Sequence, residues 1–171
     1  LRVLDLQQNT IMDLSHLRNM TALTELYLNN NAINDITILG GLKELTKLDV
    51  SHNNLTTIDT AFKLTKLTHL DAAAQGQDET GGLTTIAGIE ALTELTHLSV
   101  ATNKITDISP LGSCTKLYEL DISSNNITSI DVLQGHNELM FLYFSHNSVE
   151  TIPQWDGEHS KLSIIDGSHN L

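Results

Sequence analysis

Leu45-Thr46-Lys47-Leu48-Asp49-Val50-Ser51-His52-Asn53-Asn54-Leu55-Thr56-Thr57-Ile58-Asp59-Thr60-Ala61-Phe62-Lys63-Leu64-Thr65-Lys66 is a phrase of 22 residues with two different rhythms. From Lys47 to Ser51 polar and apolar residues alternate, the period of a half-buried strand. Leu48 and Val50 then point inward, and Lys47, Asp49 and Ser51 point outward. After Asn53 the apolar residues fall on every third position, at Leu55, Ile58, Ala61 and Leu64. A beat of three matches short 3-10 turns, whereas an α-helix alternates three and four.

Working outward, the same L-x-x-L-x-L-x-x-N opening begins at Leu1, Leu23, Leu45, Leu67, Leu95, Leu117 and Leu139, with a partial copy at Leu162. A period of this size marks a solenoid, in which each coil buries its apolar face only against its neighbours. Because the chain winds one way, neighbouring strands must be parallel, about 4.8 Å apart. An Asn recurs at 9, 31, 53, 103, 125, 147 and 170, with Gln75 as the departure. An inward-turning amide can both donate and accept, so a stack of them can satisfy backbone groups where each strand turns a corner. We therefore expect an α/β-class solenoid over residues 1–171, one domain, with the parallel sheet on the concave face and 3-10 turns on the convex face.

The chain has 171 residues and a net charge of −12, which disfavours phosphate backbones and anionic lipid surfaces. Nucleic acid is not an expected partner, and no apolar run is long enough for membrane insertion in this segment. The single Cys114 lies on the apolar beat and reads as a small core residue. The chain opens inside one repeat and stops inside another, without polar caps, so it is expected to be a piece of a longer protein.

The phrases Ile33-Asn34-Asp35-Ile36 and Ile105-Thr106-Asp107-Ile108-Ser109-Pro110-Leu111, with L-T-x-L-x-L before each strand, resemble the 22-residue leucine-rich repeats of bacterial internalins. That resemblance implies a surface-exposed horseshoe that grips a protein ligand, and hence an extracellular or cell-surface location. A similar repeat length occurs in intracellular phosphatase-regulating proteins, which implies the alternative of a cytoplasmic scaffold or regulatory subunit.

Outward strand positions stack into columns. The central one reads Asp5, Tyr27, Asp49, Asp71, Ser99, Asp121, Tyr143, Asp166. This strip of carboxylates fits a basic partner surface; equally, Asp keeps an exposed face soluble and discourages wrong pairing. A Ca²⁺ between Asp49 and Asp71 would lack enough oxygens. The column before it reads Val3, Glu25, Lys47, His69, His97, Glu119, Phe141, Ile164, and Phe141, Tyr143 and Ile164 form a candidate apolar hot spot bordered by Tyr118 and Glu119. The competing explanation is that further structure covers this patch. His69, His97 and Asp71 contain zinc-ligand chemistry on a surface too open for a metal pocket. The candidate binding residues are thus Tyr27, Asp49, His69, Asp71, His97, Glu119, Asp121, Phe141, Tyr143 and Ile164, for a protein ligand that is basic or carries an apolar patch. No cofactor is expected.

The Ser-His-Asn triplets at 51–53, 145–147 and 168–170 are triad-like only by letter, because adjacent strand residues face opposite ways. No other constellation suggests an enzyme. The fourth repeat is six residues longer than its siblings, with the excess within Gly76–Gly82, which reads as a turned-out loop beside a shallow depression. The seventh repeat carries Trp155, expected to be core, before Asp156-Gly157, and His136 on the apolar beat is expected to be hydrogen-bonded and partly buried.

Overall fold

The computed structural model describes residues 1–76, 81–155 and 161–171. Among them run eight strands of three residues each: β1 (Val3–Asp5), β2 (Glu25–Tyr27), β3 (Lys47–Asp49), β4 (His69–Asp71), β5 (His97–Ser99), β6 (Glu119–Asp121), β7 (Phe141–Tyr143) and β8 (Ile164–Asp166). They form one sheet in chain order, and every neighbouring pair is parallel. Leu26 faces Leu48, which faces Leu70, so homologous residues of successive repeats stack. The long fourth repeat leaves this register intact, with His69 opposite His97. The insertion closes on itself: Gly76 has φ +71°, and a Cβ there would overlap the backbone of Gly81. Residues 77–80 of that expected loop, and Asp156-Gly157, lie outside the described residues.

The other side of each coil carries 3-10 turns at Ser15–Leu17, Thr37–Gly41, Ala61–Lys63, Ile89–Ala91, Ser109–Ser113 and Asp131–Gly135. The aspartates of the I-N-D-I and I-T-D-I phrases, and Asp13 of Ile11-Met12-Asp13-Leu14, start these turns: the Ser15, Thr37 and Ser109 N–H groups donate to Asp13, Asp35 and Asp107. The turns occupy more space per repeat than strands do, so the stack bends with its sheet on the concave side. This is an α/β leucine-rich-repeat solenoid.

Between the two sides lies a continuous aliphatic spine. Leu45, Val50, Leu55, Ile58 and Leu64 are fully or almost fully buried, as are most of their counterparts in the inner repeats. Each such side chain contributes about 1.5–3 kcal/mol as an upper estimate. The Asn ladder runs beside it. Asn53 accepts from the Ile33 N–H at 3.0 Å and donates to the carbonyls of Leu28 and Val50, both at 3.0 Å. Gln75 does the same work with a longer amide, accepting from Leu55 N–H and donating to Val50 O. The residue just before each ladder amide sits in the left-handed region, at φ between +51° (Ala74) and +57° (His169). This turns the His of each Ser-His-Asn triplet out to solvent, which removes any triad geometry. Trp155 is half-buried, packed against the core.

Two further rows lock the repeats together. The hydroxyls of Thr24, Thr46, Thr68 and Thr96 donate to the carbonyls of Arg2, Thr24, Thr46 and Thr68, one repeat earlier. On the exposed flank, Lys66, Lys116 and Lys161 reach Glu44, Glu94 and Glu138, each at 2.7 Å.

Candidate functional site

The open face of the sheet has a depression of about 520 Å³ over β3 to β6, and Tyr27, Asp49, His69, Asp71, His97, Glu119 and Asp121 line it. These seven expected binding residues therefore come together. Phe141, Tyr143 and Ile164 lie beyond it on β7 and β8. The sequence led us to expect all three to be exposed. Ile164 is 46% exposed, but Phe141 and Tyr143 are half-buried. Phe141 is covered by Tyr118, whose ring meets it edge-on at 5.3 Å.

Tyr118 stands where earlier repeats carry the ladder Thr, and it ends that row of hydroxyls. Its ring joins a file that crosses four strands. His69 and His97 stack at 4.1 Å with 8° between planes, His97 lies 5.5 Å from Tyr118, and Tyr118 meets Phe141. Such ring pairs contribute about 0.5–1.5 kcal/mol beyond burial.

The Thr row fixes the imidazoles. His69 Nδ1 lies 2.9 Å from Thr68 Oγ1, and His97 Nδ1 lies 2.9 Å from Thr96 Oγ1. Each hydroxyl has one proton, already given to a carbonyl in the preceding repeat. The hydroxyl can then only accept, so the imidazole donates its Nδ1–H and keeps Nε2 as an acceptor. Burial, followed by His97 and Lys47, holds His69 below the usual histidine range, which keeps it neutral near pH 7. This role for Thr68 and Thr96 was missed in the sequence, although the recurrent Leu-Thr before each strand carries the signal.

The aspartate column has a structural duty as well. Where a strand ends on an Asp, the carboxylate accepts the N–H two residues on: Asp49 from Ser51, Asp71 from Ala73, Asp121 from Ser123. The Ser51 and Ser123 hydroxyls add a second bond to Asp49 and Asp121. Ser51, bonded in this way, is buried. Ala73 has no hydroxyl to offer. Burial, with Asp49 and Asp121 nearby, pushes Asp71 up to about 6, opposed by the Ala73 N–H. Elsewhere on the rim, Tyr27 Oη donates to Glu25 at 2.7 Å, and that carboxylate raises the phenol further. No group of three His, Cys, Asp or Glu side chains among the described residues converges in a way that could hold a metal ion.

The family Leucine Rich repeats (2 copies) matches residues 1–41 and 93–135, and Leucine Rich Repeat matches residues 44–64. The chain is a leucine-rich-repeat protein. No curated protein sequence matches it. Among solved structures it is similar to internalin C2 of Listeria monocytogenes, with TM-score 0.68 and 23% identity over 95% of this chain and 79% of that one. It is similar to the functional domain of InlJ of the same species, with TM-score 0.70 and 27% identity over 98% of this chain and 39% of the other. It also superposes on a plant peptide hormone receptor, RGFR1 in complex with RGF2, with TM-score 0.82 and 21% identity over 99% of this chain and 28% of the receptor. The leucine-rich-repeat chain thus spans well under half of InlJ and of the receptor. Leucine-rich-repeat folds serve in general as non-enzymatic protein-interaction modules, and the repeats of this chain support a protein-interaction module. None of its described helices is long and apolar enough to cross a membrane.

Proposed function

We propose that this module binds a protein ligand with the concave face of its sheet, at the cell surface, as its likeness to internalins suggests. The observation that carries the reading is the file His69–His97–Tyr118–Phe141 beside an acceptor-lined depression. Half-buried rings next to an indented polar surface are the anchor-and-rim arrangement of protein interfaces. In this reading Phe141, Tyr143 and Ile164 form the apolar anchor, and Asp49, Asp71, Glu119 and Asp121 supply charge complementarity. The 171 residues act as one domain of a longer protein.

A photo-crosslinking side chain placed at Tyr143, and separately at Glu90 on the turn side, tests this on intact cells and on cytosolic extract. Crosslinks to surface or secreted proteins from position 143 alone are the expected result. Crosslinks confined to the cytosolic extract would move the module inside the cell, and crosslinks from position 90 alone would reject the concave face.

A further inference from the structure

The depression has an unusual chemical bias at its centre. Asp71 offers a carboxylate whose only described donor is the Ala73 N–H. His69 and His97 each offer an Nε2 lone pair, because both Nδ1–H groups are committed to threonine hydroxyls. Ser99, small and standing where the column otherwise carries Asp or Tyr, leaves space between Asp71 and Asp121. Lys47 and Ser99 also line the depression, and the Lys47 ammonium lies 3.9 Å from Glu25. Around the depression the acceptors outnumber the donors, with the carboxylates of Asp49, Asp71, Glu119 and Asp121 against the one ammonium of Lys47. Carboxylate and imidazole acceptors disposed around a cavity match a planar, donor-only cation.

Resting on the concave-face reading above, we propose that this depression receives an arginine side chain from an extended segment of the protein partner, with an apolar side chain of the same segment lying on Tyr118 and Phe141. The guanidinium brings five donors to an acceptor-rich floor and pairs with the Asp71 carboxylate. From β4, which carries Asp71, to the Tyr118–Phe141 pair is between two and three strand spacings, about 12 Å, the reach of three or four extended residues. The segment thus carries Arg and an apolar residue three or four positions apart. The net charge of −12 draws a basic segment toward this face.

The test is selection of random short peptides displayed on phage, against the full chain and against its Asp71→Asn variant, with folding of each checked by circular dichroism. The wild-type chain is expected to enrich Arg with Leu, Ile, Met or Phe three or four places away. A synthetic peptide of that consensus should bind Asp71→Asn about tenfold more weakly. It should also weaken with Phe141→Ala and with added salt, and stay unchanged with Glu90→Ala. Peptides without a basic residue, or basic peptides indifferent to Asp71→Asn, overturn the arginine subsite while dependence on Phe141 preserves the concave face. Peptides indifferent to Asp71 and Phe141 alike overturn both readings, and a selection that enriches nothing also overturns the subsite.

Discussion

The ring of Phe144 fills the space where Gly167 would carry a side chain. A Cβ built on Gly167 overlaps Phe144 Cζ and lies 2.7 Å from Cε2. The two occupy one inward row, where the other repeats place Leu28, Val50, Ala72, Val100 and Ile122. A large residue in one coil is matched by an empty position in the next, as close packing demands. Gly167→Ala is expected to cost about 1–3 kcal/mol through overpacking. Phe144→Leu in the same chain should recover part of that loss. Urea unfolding of the two single variants and the double variant measures both effects.

The ladder amides are unequal. Removing Asn53 leaves the buried Ile33 N–H without its acceptor and takes away donors to Leu28 and Val50. Asn53→Ala should cost on the order of 3 kcal/mol. Asn9 is exposed and bonds only to the carbonyls of Leu6 and Gln7. Asn9→Ala should cost under about 1 kcal/mol by the same denaturation measurement.

Asp71 makes stability depend on pH. Its carboxyl titrates near 6 in the fold, against 3.8 ordinarily, so the folded chain binds the extra proton between those values. The stabilisation from this is complete below pH 3.8 and lost as pH rises through 6. Asp71→Asn keeps an acceptor for the Ala73 N–H without the buried charge. It should raise stability at pH 7 by about 1–3 kcal/mol and make little difference at pH 4. Equal urea midpoints of variant and wild type at pH 7 would contradict this.

His136 acts in the opposite direction. It is 4% exposed, its Nε2 lies 3.1 Å from Leu111 O, and its other polar contact is with the Val132 backbone. Burial lowers its titration below 6.5, so the unfolded chain takes up the proton first and the fold weakens as pH drops below 6.5. The same row holds Leu42, Leu64 and Leu92, and Leu111 O keeps the Cys114 N–H. His136→Leu should therefore flatten this acid loss, read from unfolding midpoints between pH 7 and pH 5. A wild-type histidine signal titrating at or above 6.5 in NMR would refute the cause.

The flanking Lys–Glu row should matter little. Lys66 and Glu44 are each more than half exposed. Lys66→Ala is expected to change stability by under about 1 kcal/mol, less in high salt. Thermal melts at two ionic strengths measure it.

Much of this molecule is written locally. The alternation at Lys47–Ser51, the beat of three from Leu55 to Leu64 and the recurrent Asn each depend on residues close in sequence, and repetition multiplies their signal. That is why the strands, the 3-10 turns, the spine and the pairing of His69 with His97 were legible before any coordinates. The exposure of Phe141 was misjudged because its cover, Tyr118, comes from the neighbouring coil. Gln75 looked like a break in the ladder, yet one extra methylene still reaches Val50 O.

Parallel coils of equal pitch follow from the period alone, because an apolar beat repeated at 22 residues can be buried only by stacking. The character of the open face follows from contacts between coils. Thr68 leaves His69 an acceptor only because its proton goes to Thr46, 22 residues away. Asp71 is hard to ionise because the stacked coils bury it while Asp49 and Asp121 stand nearby. Proton and charge placement of this kind depends on distances across the sheet, and those distances exist only once the coils have stacked.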